Sequence, residues 1–430
     1  MTRKSKDFSF VNGLNLAWIE FGRDTGVDPV NPQKYFRPDM VRFEEAMDFA
    51  CEHGATLIRW WYHTNGSTNP VFDAHKKVTP NPDFFHEDVK KILDLALQKK
   101  MQVQICLWSF DMLKKQWGVD PIANKKLITE DTFTQAYIEN ALVPLVKYIG
   151  NHSALFAWEI FNEPEGMTNK YAQHWSGFEE RVEMKDIQKF INRVAGAIRK
   201  TEPQVKITNG ALGFLTNVDD PKKGFYNAYS DANLFDKGKN DLGYLDFYNI
   251  HYYSWARSKG SPFHTKYSPK LIDKPAIIGE YYPDDLSFKY KVGDNDHKLD
   301  IFPASDLGTI LIENQWAGSI AWSWTDRKSK EERNRMASII HNVAESMIQT
   351  SHVGNEVVED IKIYPNPAKE VMHITGVKKG EEIIIYDFTG KIVKKKRVRN
   401  TPEKILISEL YRGYYRVMVV GRIQLSLYKE

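Results

Sequence analysis

Two glutamates stand out by their surroundings. Glu163 ends the apolar run Trp158-Glu159-Ile160-Phe161-Asn162 and is followed by Pro164, and Glu280 ends the run Ala276-Ile277-Ile278-Gly279. An apolar run rich in Ile, Phe and Trp is what a strand buried on both faces looks like, and proline stops it by removing a backbone donor. An acidic residue at the tip of such a strand is solvated at a strand end or aimed at chemistry. Two of them facing each other over one pocket supply an acid and a nucleophile, the pair that glycoside hydrolysis uses. Alternation along a regular strand places Glu159, Phe161 and Glu163 on one face, with Glu159 deeper and structural. Arg59, in Leu57-Ile58-Arg59-Trp60, is a cation that can keep a neighbouring carboxylate ionised, or an inner salt-bridge partner of Glu159.

These residues need a scaffold. Eight strand-like runs alternate with helical patterns: Phe10–Trp18, Ala55–Trp60, Met101–Trp108, Leu155–Phe161, Val205–Asn209, Leu245–Tyr252, Ala276–Glu280 and Gly318–Trp324. Between them, helices are expected from Asp39 to before Gly54, Asp83 to Lys100, Asp131 to Ile149 and Lys185 to Lys200, while residues 210–244 read as a long Gly/Asn/Asp-rich loop. Such alternation predicts an α/β fold, a (β/α)8 TIM barrel over residues 1–350, with catalytic groups at the C-terminal strand ends. An open doubly wound sheet is disfavoured because Asn12-Gly13-Leu14 is not a Gly-rich phosphate turn. After a break near Gln349–Asp360, short alternating strands with the turn Asp387–Lys391 predict a small β-sandwich over residues 351–430.

Composition sets the limits. Hydrophobic residues make up 42% and charged residues 27% of 430, which excludes a collagen-like or wholly disordered chain. No apolar run is long enough to span a membrane. The first ten residues contain no apolar core, so a leader is expected to be missing from this sequence if the chain is exported. Residues 353–430 carry 15 Lys and Arg against 10 Asp and Glu, yet the formal charge overall is only +3. The body is therefore near neutral and no nucleic-acid partner is expected, and the run Lys394–Arg399 reads as a solvated strand face. The two cysteines, Cys51 and Cys106, are expected to be buried free thiols.

Asn162-Glu163-Pro164 after an apolar strand, supported by Gly279-Glu280, resembles the family 5 glycoside hydrolases over about residues 8–348. The resemblance implies Glu163 as acid/base, Glu280 as nucleophile, Asn162 on a sugar 2-hydroxyl and Arg59 bracing the nucleophile. It implies further that His251 and Tyr253, in His251-Tyr252-Tyr253, serve the acid and the nucleophile. Trp322 matches the family's stacking tryptophan, and Trp324 lies on the same face if the strand continues. Many members carry a histidine ending strand three; here Cys106-Leu107-Trp108-Ser109 stands instead, leaving Trp108 to shape the subsite. Trp60, Trp61, Trp117, Trp175 and Trp255 read equally as core or as sugar platforms. The two carboxyls should differ, Glu163 raised and Glu280 lowered, giving a bell-shaped pH profile.

The tail resembles the sorting domain of the type IX secretion system of Bacteroidetes-like bacteria, through Tyr364-Pro365-Asn366-Pro367, Tyr386-Asp387-Phe388-Thr389-Gly390-Lys391 and Leu410-Tyr411-Arg412-Gly413-Tyr414-Tyr415. That implies secretion or surface attachment and the type IX machinery as a partner; a carbohydrate-binding module using Tyr411, Tyr414 or Tyr415 is the rival. The expectation is a secreted, retaining, monomeric endo-β-1,4-glycanase without cofactor or metal. Its polysaccharide is β-mannan from Ala321-Trp322-Ser323-Trp324, or β-glucan from Thr325-Asp326-Arg327. A non-catalytic glycan-binding barrel is the third reading.

Overall fold

The structure, a computed structural model, describes residues 8–292, 295–351, 361–387, 392–419 and 423–430. Within the turn expected at Asp387–Lys391, residues 388–391 lie outside these, as does most of the expected break after Gln349. The chain divides into two compact units, residues 1–344 and 345–430.

In the first unit, eight parallel strands close into a barrel. They are β1 (Val11–Asn15), β2 (Leu57–Thr64), β3 (Gln102–Ser109), β4 (Leu155–Asn162), β5 (Ile207–Ala211), β6 (Tyr248–His251), β7 (Ala276–Glu280) and β8 (Gly318–Ala321). Each pairs with its sequence neighbours, and β8 pairs with β1, with Leu14 opposite Ala321, to complete the ring. Asp39 caps the first helix, Met40–Glu52, by accepting from the Arg42 backbone N–H, which satisfies one of the free donors of its first turn. That helix buries Phe43, Ala46, Met47 and Ala50. The helix Met184–Thr201 presents Ile187, Phe190, Ile191, Val194, Ala195 and Ile198 to the barrel in the same way.

Four expectations need correction. Residues 210–244 are not one loop: the helix Asp231–Gly238 lies within them, capped by Ser230. Only Leu234 of that helix is buried, so it leaves no periodic stripe to read. β8 stops at Ala321 rather than Trp324, and β5 runs two residues beyond Asn209. Cys51 is exposed, on the outer side of its helix, whereas Cys106 is buried.

The second unit packs a three-stranded sheet against a four-stranded one. The first holds β9 (Lys362–Tyr364), β10 (Val371–Thr375) and β13 (Glu403–Leu406). The second holds β11 (Glu382–Tyr386), β12 (Ile392–Arg397), β14 (Gly413–Val419) and β15 (Ile423–Lys429). Met372, Ile374 and Ile405 meet Ile383, Ile385, Val417 and Leu427 between the sheets, a β-sandwich core. β12 is an edge strand, and two lysines of its basic run pair with acids: Lys394 with Glu409, and Lys396 with Glu403 at 3.6 Å. Lysines on an edge discourage strand addition by another chain. Tyr411 is 88% exposed, but Tyr415 is buried in this core and its hydroxyl donates to the Tyr411 carbonyl at 2.8 Å, which removes it as a ligand contact. The Tyr414 side chain lies outside the described residues.

Candidate active site

Arg59 occupies the barrel axis, fully buried. Its guanidinium has five N–H groups and all five are used. Nε and Nη2 grip Glu159 at 2.7 and 2.6 Å, Nη2 also donates to Asn162 Oδ1 at 2.8 Å, and Nη1 donates to Asn15 Oδ1 at 2.9 Å and Glu280 Oε1 at 2.6 Å. Arg59 is thus both the inner partner of Glu159 and the brace of Glu280. Glu159 is completed by Gln104 Nε2 at 2.6 Å and Asn249 Nδ2 at 3.1 Å.

β4 does not alternate to its end. Its register with β5 slips between Glu159 and Asn162. Glu159 and Asn162 both point inward to Arg59, while Phe161 turns outward against Phe190 of the helix Met184–Thr201, their ring centroids 5.1 Å apart. The expected shared face of Glu159, Phe161 and Glu163 is therefore broken by a bulge. Glu163 then adopts φ +47°, ψ +52°, a left-handed conformation rare outside glycine, on entering the turn Pro164–Met167.

This brings Glu163 to the pocket that Glu280 faces. Carboxylate oxygens of Glu163 and Glu280 and a ring nitrogen of His251 all lie within 4.8 Å of one another. His251 Nδ1 is 2.9 Å from Glu163 Oε1 and 3.5 Å from Glu280 Oε2. His251 Nε2 is buried without a partner. An orphaned buried N–H is costlier than an orphaned lone pair, so the proton belongs on Nδ1, which donates to Glu163. Burial and the Arg59 charge hold His251 well below the usual histidine range, so it is neutral. The Tyr253 hydroxyl donates to Glu280 Oε2 at 2.7 Å.

Burial, then the charges of Glu280 and Glu165, push Glu163 well above the usual carboxylate range. Glu280 does not fall below that range as expected. Burial pushes it up to about 7, against the opposing pull of Arg59 and the Tyr253 hydroxyl. The pair therefore shares a proton that Glu163 holds, while Arg59 and Tyr253 favour charge on Glu280. A pair so spaced and so polarised can protonate a leaving oxygen with one carboxyl and attack carbon with the other.

Trp322 lies at the mouth, 8% exposed, its indole N–H donating to Asp326 Oδ2 at 3.0 Å. Trp18 and Trp61 stand beside it, at 5.7 and 5.6 Å between ring centroids. Trp324 does not join them. The strand has ended, and its ring packs on Phe49 at 5.0 Å and under Arg333 at 3.2 Å, on the helical side. Trp108 does not shape a subsite either: it is fully buried, its ring against His63 at 4.5 Å and Tyr137 at 5.6 Å. Of the other tryptophans, Trp60 is core, Trp175 rests on Phe110, and Trp117 and Trp255 are exposed. Sequence reasoning missed Asn15, Gln104, Asn249, Trp18 and Glu165. The first three are ordinary amides inside apolar strands, and only their inward register marks them.

Residues 20–281 match the family described as cellulase (glycosyl hydrolase family 5), and residues 362–427 match the secretion system C-terminal sorting domain. A mannan endo-1,4-beta-mannosidase of Mytilus edulis is 28% identical over 288 residues, 63% of this chain and 75% of its own length. One of Cryptopygus antarcticus is 28% identical over 290 residues, 63% of this chain and 72% of its own. The crystal structure of the beta-mannanase from Mytilus edulis superposes with a TM-score of 0.64 at 26% identity, covering 77% of this chain and 92% of that one. No helix among the described residues is long and apolar enough to cross a membrane. The sorting domain marks a bacterial protein that is secreted or attached to the cell surface. A closed barrel with paired glutamates at the tips of β4 and β7, matched over more than half its length, makes this chain a member of glycosyl hydrolase family 5, a glycoside hydrolase with a C-terminal sorting domain.

Proposed function

We propose that the protein is a retaining endo-β-1,4-mannanase that acts as a monomer outside the cell and reaches its destination through type IX secretion. The observation that carries the chemistry is the Glu163–Glu280 pair, with carboxylate oxygens within 4.8 Å, short of the roughly 6.5–9.5 Å that leaves room for an inverting water. Glu163 gives its proton to the glycosidic oxygen as Glu280 Oε2 or Oε1 bonds to the anomeric carbon and the C–O bond breaks. Water then attacks that carbon, Glu163 takes its proton, and Glu280 leaves. Asn162 keeps its Oδ1 on Arg59 and has an Nδ2 free of described partners to meet a sugar hydroxyl. Trp322, beside Trp18 and Trp61, supplies an apolar face for a pyranose ring. The choice of mannan is supported by the activities named for the relatives.

The test is hydrolysis of linear β-1,4-mannan, glucomannan, carboxymethylcellulose and mixed-linkage glucan, with proton NMR of the first product anomer. We expect linear mannan to be cleaved best and the β-anomer to appear first. Glu280→Gln should lower turnover by about a thousandfold or more while sparing binding. First appearance of the α-anomer, or unchanged turnover in that variant, refutes the mechanism; preference for carboxymethylcellulose refutes the substrate.

A further inference from the structure

Glu165 is a second buried acid beside Glu163, on the turn Pro164–Met167, and no step above uses it. It is fully buried, and each of its oxygens is met by donors. Leu212 N–H donates to Oε2 at 3.1 Å, and the hydroxyls of Thr216 and Tyr229 donate to Oε1 at 2.5 and 2.6 Å. Each of these hydrogen bonds favours the carboxylate over the neutral acid. Burial, the largest effect, pushes Glu165 above the usual carboxylate range, and the Thr216, Tyr229 and Leu212 bonds pull it only part of the way back. The three donors come from the end of β5 and the segment after it, so the carboxylate also pins the left-handed turn that aims Glu163.

Consider what Glu163 faces through the reaction. β2 offers Arg59, the turn after β3 offers Asp111, β6 offers the neutral His251 and, just beyond its end, Tyr253, β7 offers Glu280, and its own turn offers Glu165. In the first step the charge of Glu280 helps keep the proton on Glu163. Once Glu280 is bonded to the sugar it is a neutral ester, and that help is gone. Glu163 must now accept a proton from water, at the stage when its neighbour no longer sustains its basicity. Arg59 still pulls the other way. Glu165 is two residues from Glu163 and forms no bond to the sugar in either half of the cycle.

We propose that Glu165 is the positioning residue for Glu163: a standing negative charge, locked by Leu212, Thr216 and Tyr229, that keeps Glu163 protonated before attack and keeps it a competent base once Glu280 has been esterified. This rests on the roles assigned above to Glu163 and Glu280, and it goes beyond them by giving the acid/base a partner that the cycle does not neutralise.

Two variants separate charge from scaffolding. Glu165→Gln keeps the shape and removes the charge; Thr216→Val keeps the charge and removes one bond. The alkaline limb of kcat/KM on the best-cleaved polysaccharide should move down by about one pH unit in Glu165→Gln, a tenfold loss at pH values above the limb, and stay in place in Thr216→Val. With a dinitrophenyl glycoside, whose leaving group needs no acid, Glu165→Gln should show a full burst followed by steady turnover slowed about threefold, the second step alone being hit. Carbon-13 NMR titration of the Glu163 carboxyl in the intact protein should show the same downward shift without any substrate. That measurement reads Glu165 even if no glycan is cleaved, an outcome that would sink the mannanase reading instead. An unmoved Glu163 titration and unmoved limb in Glu165→Gln, with activity lost equally at every pH in both variants, would reduce Glu165 to a structural bond and overturn the proposal.

Discussion

Replacing Tyr253 by phenylalanine isolates one hydrogen bond on the nucleophile. The Tyr253 hydroxyl donates to Glu280 Oε2 at 2.7 Å, and that oxygen has His251 Nδ1 at 3.5 Å, too far to take over. Glu280 is 3% exposed, so water does not replace the lost donor. A hydrogen bond to a charged group contributes about 1.5–3 kcal/mol. At about 1.4 kcal/mol per pH unit, its loss raises the protonation point of Glu280 by about one to two units. Glu280 must be ionised to attack, so the sign is fixed: the acid limb of kcat/KM moves to higher pH. Below the wild-type limb, activity falls about 10- to 100-fold. Near the alkaline limb, where Glu280 is charged in both proteins, the loss is much smaller. The ring of Tyr253 keeps its contact with Tyr282, 4.7 Å between centroids, so thermal stability changes little. The assay is initial rate against pH on the best-cleaved polysaccharide at substrate well below KM, with a melting curve as control. An acid limb that stays put, with a uniform loss at all pH values, refutes the claim that Tyr253 acts by stabilising the charge on Glu280.

Trp322→Ala should raise KM about tenfold with the fold intact, whereas Trp324→Ala should leave KM within twofold and lower the unfolding free energy by about 1–3 kcal/mol, because its ring packs on Phe49 and Arg333. Oligosaccharide kinetics with chemical denaturation checks both, and reversed effects refute the placement of the two rings. Removal of residues 352–430 should leave kcat/KM on soluble polysaccharide within twofold and abolish export, since the barrel and the sandwich have separate cores. A fractionation of cells and medium reads this, and loss of binding to insoluble polysaccharide on truncation would favour a carbohydrate-binding tail.

What was legible in the chain was whatever a strand makes periodic. Eight apolar runs gave the barrel, and an acid ending the fourth and seventh put Glu163 and Glu280 at its mouth. The illegible parts lie where the period breaks. Nothing in Ile160-Phe161 announces the bulge that turns Phe161 out to Phe190, and Ala321 looks no more like a strand end than Trp324 does. Alternation carried past those points misassigned Phe161 and Trp324. The burial of Trp108 against His63 of the neighbouring strand β2 and Tyr137 of the helix Asp131–Tyr137 is likewise set by residues distant in sequence. The helix Asp231–Gly238 buries one leucine, too little for any pattern.

The most instructive difference is electrostatic. An arginine beside a glutamate argues for a lowered nucleophile, and Arg59 is indeed 2.6 Å from Glu280. But sequence shows neither how many acids share that cation nor how deeply all of them are buried. Glu159 takes two of the five guanidinium hydrogens and Glu280 takes one. One positive charge is divided between two carboxylates that are almost fully buried, so compensation is incomplete and burial prevails over attraction at Glu280. The consequence is a site that carries a single exchangeable proton near neutrality, held by Glu163 because Arg59 and Tyr253 both choose Glu280 for the charge. The division of labour between the two glutamates thus comes from unequal access to one shared arginine and one tyrosine, not from either glutamate being unperturbed.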